Sequence, residues 1–176
     1  MLKNIILAGF GGQGVLFTGK VLAYAGLCDE KEVSWLPSYG PEMRGGTANC
    51  SVVVSDKPIG SPLVLNPDLL IAMNLPSYEK FIGAVAPGGI VVMDSSLIEA
   101  DCDRTDITVY KVEATKLAEE KGLSGLSNMI LLGKAMKECA FLSDEGIDKG
   151  LQKSIPPKKA NLLDSNRDAI KLGKIQ

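Results

Sequence analysis

Short apolar runs alternate with helical periodicities along the first half of this chain. Lys3–Ala8 (KNIILA) is apolar throughout its second half and stops at Gly9, which predicts a strand buried on both faces. From Gly14 to about Gly26, Val15, Leu16, Leu22, Ala23 and Gly26 recur at helical spacing, predicting a helix with Gly26 as its stop. Glu32–Leu36 predicts a second strand and Pro37–Gly46 a loop. Thr47–Ser55 alternates and then turns wholly apolar, a third strand. Asp68–Met73, Ile90–Asp94 and Ile107–Val112 add three more, with a helix over Leu75–Val85 and a turn at Ala86–Gly89.

The second half has another character. Residues 1–88 carry 13 charged side chains and residues 89–176 carry 27, so the latter half reads as solvated helices. Three are predicted at Ala114–Glu120, Asn128–Cys139 and Asp144–Lys153. Ser127 and Ser143 are the expected N-caps, and Asp144 and Glu145 suit a helix N-terminus. Pro156 and Pro157 end that region, and Leu162–Leu172 forms a last amphipathic piece before Gly173. Strands alternating with helices imply an α/β three-layer sandwich, Rossmann-like, with a largely parallel sheet. The direct passage from Leu36 to Thr47 leaves no room for a crossover helix, so an antiparallel pair is expected within a mixed sheet. One domain spanning residues 1–176 is expected, since no repeat or linker interrupts it.

Composition removes several chemistries. The chain has 176 residues and no histidine. That excludes Ser-His-Asp and Cys-His nucleophile systems, an imidazole base and a His-containing zinc site. Cys28, Cys50, Cys102 and Cys139 are scattered, with no CxxC pair, so neither a zinc knuckle nor an iron–sulfur cluster is expected. All four read as buried free thiols in a reducing compartment. A formal net charge of −2 offers nothing to nucleic acid or anionic lipid. No secretory signal is visible and no apolar stretch reaches the ~20 residues of a membrane helix, so a cytoplasmic location is expected.

Two features carry candidate chemistry. Gly9-Phe10-Gly11-Gly12-Gln13-Gly14 matches G-x-G-x-x-G between a strand and a helix, where backbone N–H groups and the helix dipole receive phosphate. An NAD site also wants an acid at the end of the second strand, but that strand ends Val33-Ser34-Trp35-Leu36-Pro37. A tight packing turn, a non-redox phosphate site and a dehydrogenase therefore compete. The second feature is the loop Pro37–Gly46. It offers the hydroxyls of Ser38 and Tyr39, the charges of Glu42 and Arg44, and Gly45-Gly46. It emerges beside the glycine turn if the first two strands are parallel neighbours, and Arg44 could then grip a phosphate. The competing reading is an ion-paired surface or interface loop. Asp94 reads as a cap rather than a ligand contact, Asn74 equally as turn residue or pocket amide, and Trp35 as core or interface anchor.

GFGGQGV near the start, followed by SYGPEMRGGTANCSVVVSD, resembles the gamma subunit of 2-oxoacid:ferredoxin oxidoreductases, which is also a domain of single-chain pyruvate:ferredoxin oxidoreductases. Asn128-Met129-Ile130 with Leu132-Gly133, and Asn161-Leu162 with Ala169–Gly173, extend the resemblance through the tail. Tyr39, Met43, Gly46 and Thr47 depart from the pyruvate-type pattern and resemble the 2-oxoglutarate and branched-chain types. The resemblance implies conversion of a 2-oxoacid, CoA and oxidised ferredoxin to acyl-CoA, CO₂ and reduced ferredoxin. It implies thiamine diphosphate, Mg²⁺ and 4Fe–4S clusters in alpha, beta and ferredoxin-like delta subunits, or an external ferredoxin. It assigns this chain no catalytic residue and no metal ligand. CoA contacts are expected at Gly9, Gly11, Gly12, Gln13 and Gly14, with Ser38, Tyr39, Glu42, Arg44 and Gly45 beside them, and a homodimer is a further expectation. The alternatives are a stand-alone Rossmann-like oxidoreductase binding NAD or FAD, and a non-catalytic nucleotide- or CoA-binding module.

Overall fold

Six strands form one sheet in a computed structural model that describes residues 1–38 and 47–176. The strands are β1 (Leu2–Phe10), β2 (Glu32–Ser38), β3 (Thr47–Ser55), β4 (Leu69–Ala72), β5 (Ile90–Asp94) and β6 (Thr108–Val112). The helices are α1 (Val15–Cys28), α2 (Leu75–Ile82), α3 (Ala114–Glu120), α4 (Ser127–Cys139), α5 (Asp144–Ser154) and α6 (Leu163–Lys174), with a 3-10 segment at Pro157–Leu162.

The sheet order is β2-β3-β1-β4-β5-β6. β1, β4, β5 and β6 run parallel, while β3 runs antiparallel to both β1 and β2. The expected mixed sheet is therefore present, and β3 is the strand that makes it mixed. Alternation along each strand divides the core in two. Ile5, Leu7, Val52, Leu69, Ile71 and Val92 face one layer, packed by α1, α3, α4, α5 and α6. Ile6, Ala8, Val53, Leu70, Ala72 and Met93 face the other, where Tyr78 of α2 and the flanking Val85 and Ile98 cover them. Among the described residues, five helices against one make the layers unequal.

Several boundaries differ from the expectation, each for a local reason. α1 does not stop at Gly26 but runs on to Cys28. Gly26 is a packing position instead, because a Cβ there would lie 2.7 Å from Val33 Cγ2 on β2. β2 extends through Pro37 and Ser38, which an edge strand tolerates. α2 ends at Ile82 rather than Val85, and Arg104 Nη1 donates to the carbonyls of Ile82 and Val85 at 3.1 and 2.7 Å. Ser127 does not cap α4: it is the first helical residue, after Leu126. Ser143 does cap α5, its Oγ accepting from the Gly146 N–H at 2.8 Å. The same hydroxyl and the Ser143 N–H donate to Asp29 at 2.6 Å each, tying α5 to the end of α1.

Candidate functional site

β1 and β4 are adjacent and parallel, yet the helices that follow them go to opposite faces of the sheet. Their carboxyl ends therefore open a crevice of the kind where α/β sheets bind ligands. The glycine turn lies at this point. Gln13 crosses the crevice: its Nε2 donates to the Met73 carbonyl at 2.9 Å, and its Oε1 accepts from the Phe10 N–H at 2.6 Å. The Gln13 N–H donates back to the Phe10 carbonyl at 3.2 Å. Gly9 is pressed into the same place, where a Cβ would lie 2.9 Å from Met73 Cβ. Gly9 and Gln13 thus build the turn, and the Gln13 N–H and both ends of its side chain are engaged within it.

Gly11, Gly12 and Gly14 differ. Among the described residues, none accepts their backbone N–H groups. Gly12 (φ 100°) faces open space, and Gly14 (φ 77°) is the N-cap of α1 without any side-chain cap. Both conformations favour glycine. No acidic residue sits in the first turn of α1 to repel an anion. Three N–H groups without a partner among the described residues, two in the turn and one at the N-cap of a 14-residue helix, suit a phosphate oxygen.

One further residue at this turn carries no recognisable motif. Asn128, on α4, donates Nδ2 to Thr18 Oγ1 at 3.0 Å and approaches the Gly14 carbonyl at 3.4 Å. Thr18 in turn donates Oγ1 to that carbonyl at 3.0 Å. The available signal was a lone amide ahead of the apolar run Met129–Leu132, on the buried face of its helix. Beside the turn, Gly12, Leu97, Thr115, Glu119, Ser124 and Ser127 line a cleft of about 240 Å³.

The region after β2 reaches this edge by a different route from the one expected. β1 and β2 are not neighbours, because β3 lies between them. Ser38 pairs with Asn49, and Phe10 with Thr47, so both residues flanking 39–46 lie at the edge that carries the turn. An antiparallel hairpin, rather than a parallel pair, brings them there. Ser38 stands level with Ala8 but two strands away, about 10 Å. Tyr39, Glu42, Arg44 and Gly45 lie outside the described residues.

The remaining candidates resolve structurally. Asp94 is 1% exposed; it accepts from the Ser96 N–H at 3.1 Å and from Thr115 Oγ1 at 2.6 Å, a cap joining β5 to α3. Asn74 caps α2, its Oδ1 accepting from the Ser77 N–H at 2.9 Å. Cys50 is buried, and burial pushes its thiol up to about 12, with Trp35 pulling weakly the other way. Cys28, Cys102 and Cys139 are only half-buried, so the core reading holds for Cys50 alone. Trp35 is 36% exposed on the edge strand, lining a surface groove with Tyr24 and Leu27. Among the described residues no group of three His, Cys, Asp or Glu could hold a metal, and no helix is long and apolar enough to cross a membrane.

A glycine turn at a sheet crevice, with no ribose-binding acid at the end of β2 among the described residues, defines an α/β domain that lacks the full dinucleotide fingerprint. Residues 4–174 match the family of pyruvate ferredoxin/flavodoxin oxidoreductases, and the chain belongs to that family. It is 38% identical over 168 residues to the 2-oxoglutarate synthase subunit KorC of Methanocaldococcus jannaschii, covering 93% of this chain and 90% of that one. The gamma subunit of a keto/oxoacid ferredoxin oxidoreductase from Geobacter sulfurreducens superposes with a TM-score of 0.82 at 25% identity, over 97% of this chain and 95% of that one. The 2-oxoglutarate:ferredoxin oxidoreductase of Magnetococcus marinus, solved with 2-oxoglutarate, coenzyme A and succinyl-CoA bound, superposes with a TM-score of 0.86 at 25% identity. That match covers 99% of this chain and 30% of the longer one. The chain corresponds to the gamma-type component of these oxidoreductases, which sets aside the stand-alone dehydrogenase.

Proposed function

We propose that this chain is the accessory gamma subunit of a 2-oxoglutarate-type 2-oxoacid:ferredoxin oxidoreductase, and that its glycine turn holds a phosphate of CoA. The complex converts a 2-oxoacid, CoA and oxidised ferredoxin to acyl-CoA, CO₂ and reduced ferredoxin. Thiamine diphosphate with Mg²⁺ performs the decarboxylation and 4Fe–4S clusters carry the electrons, all in alpha, beta and delta partner subunits. Residues 1–176 act as one unit that docks on them in a reducing cytoplasm. The observation carrying the CoA assignment is the set of N–H groups at Gly11, Gly12 and Gly14 without a partner among the described residues. Gly9 and Gln13 hold that turn in shape. Ser38, Tyr39, Glu42, Arg44 and Gly45 are a second contact set, resting on the family resemblance of their loop, with Arg44 the side chain suited to a phosphate.

The test is a CoA titration of the assembled complex. Gly12→Asn and Gly12→Asp share the strain of a side chain at φ 100°, and only Asp adds charge. Gly12→Asp is expected to raise the KM for CoA at least about tenfold over Gly12→Asn, leaving the KM for the 2-oxoacid unchanged. Equal CoA KM values for the two variants, with assembly intact, would overturn the assignment. Arg44→Ala tests the second contact set by the same readout.

A further inference from the structure

We propose that Asn128 is a positioning residue for CoA, which fixes the Gly14 carbonyl, and with it the shape of the glycine turn, from behind; this rests on the assignment of the glycine turn to CoA. Gly14 is held in a left-handed conformation at φ 77° and ψ 15°. Its carbonyl shares a peptide plane with the Val15 N–H, so what grips that carbonyl orients the peptide through which the turn enters α1. Its carbonyl accepts from the Thr18 N–H at 2.9 Å and from Thr18 Oγ1 at 3.0 Å, both within α1. The third approach comes from α4, 114 residues along the chain, through Asn128 Nδ2 at 3.4 Å. The same Nδ2 donates to Thr18 Oγ1 at 3.0 Å, which orients that hydroxyl toward the Gly14 carbonyl.

Nothing local requires an amide at position 128. It does not cap α4, whose N-cap is Leu126 without a side-chain bond. It is 3% exposed, its neighbours Met129–Leu132 are core, and its Oδ1 is buried with no partner among the described residues. Burying an amide with half its valence unused costs free energy that an apolar residue would not. The amide also fills the space beside the turn: a Cβ on Gly14 would lie 2.8 Å from Asn128 Cγ. The amide and the bare Gly14 are therefore complementary, and the cost is placed where it fixes the shape of the turn.

The experiment uses the assembled complex, with CoA as the varied ligand. Asn128→Ala and Thr18→Val are each expected to raise the KM for CoA about three- to tenfold. The KM for the 2-oxoacid and the kcat at saturating CoA should stay within about twofold. Thr18→Ser, which keeps the hydroxyl, should restore the CoA KM. The double variant Asn128→Ala/Thr18→Val should do no more than the larger single change, since both act through the Gly14 carbonyl. A merely structural role would lower the melting temperature and leave the CoA KM unmoved, and that result overturns the inference. If Asn128→Ala fails to assemble, the Thr18 pair decides: equal CoA KM values for Val and Ser overturn it. Matching CoA KM values for Gly12→Asp and Gly12→Asn would remove the CoA assignment itself. A raised value there beside an unmoved one in Asn128→Ala would remove only the role of Asn128.

Discussion

Gln13 and Met73 stitch the carboxyl ends of two parallel strands together, the Gln13 Nε2 donating to the Met73 carbonyl at 2.9 Å. The other end of the same amide accepts from the Phe10 N–H at 2.6 Å. Gln13→Glu removes the donor and sets a carboxylate against a carbonyl. It should destabilise the chain by about 1–3 kcal/mol, more than Gln13→Ala, which loses the bonds without adding repulsion. Urea unfolding of the three proteins checks the order.

This brace shows where sequence reading stops. The glycine pattern marked the turn, and the strand-turn-helix context was right, because local rules govern a β1–α1 junction. The bracing within the motif is not legible from sequence: Gly9 and Gln13 pack or bond against Met73, and Gln13 and Met73 are 60 residues apart. The hairpin β2–β3 was foreseen from the short Leu36–Thr47 connection. Its position outside β1 was not, because pairing order is decided by which strand faces bury, not by the length of a loop. The contacts of Asn128 are illegible for the same reason: its partners lie 110 and 114 residues away.

Cys50 should resist alkylation in the folded chain. Its Sγ lies 3.7 Å from the Val15 carbonyl under Gly19 and Trp35, and burial raises its thiol from 9.0 to about 12. The half-buried Cys28 and Cys102 should react first with iodoacetamide at pH 8, identified by peptide mass mapping. Because folding raises this pKa, the unfolded chain loses the Cys50 proton first as pH rises above 9.0. The stability linked to it is whole below 9.0 and declines toward about 12, and Cys50→Ser should flatten that alkaline decline.

The acid limb should trace to carboxylates gripped by cations. Lys31, whose Nζ donates to Asp56 at 2.6 Å, is the main cause that lowers the Asp56 carboxyl from 3.8 to about 2. Arg167 lowers Asp148 in the same direction through bonds of 2.6 and 2.9 Å. Depressed values mean that the unfolded chain takes up protons first as pH falls. Stability is therefore complete above about 4 and lost toward about 2. Asp56→Asn and Asp148→Asn should each shallow the fall in denaturation midpoint between pH 4.5 and 2.5, with little change at pH 7 for the solvent-exposed Asp56 pair.

The crossing of α4 and α6 should be the least tolerant contact in the helical layer. Gly133 faces the Ile170 carbonyl and Gly173 faces the Ile130 carbonyl, so each helix presents a bare glycine to the other's backbone. A methyl group at either position meets a carbonyl that cannot swing aside as a side chain would. Gly133→Ala should therefore cost about 3 kcal/mol, the upper end for overpacking. For a chain of this size that lowers the melting temperature by roughly 6–12 °C. Gly83→Ala is the matched control: Gly83 has φ −66° and ψ −25°, and a Cβ there meets nothing within 4 Å. It should be neutral or stabilising by up to about 1 kcal/mol, because it restricts only the unfolded chain. Calorimetry on both variants separates the two cases. Equal melting temperatures would mean that α4 and α6 can slide apart, and with them Asn128, whose helix carries it to the glycine turn.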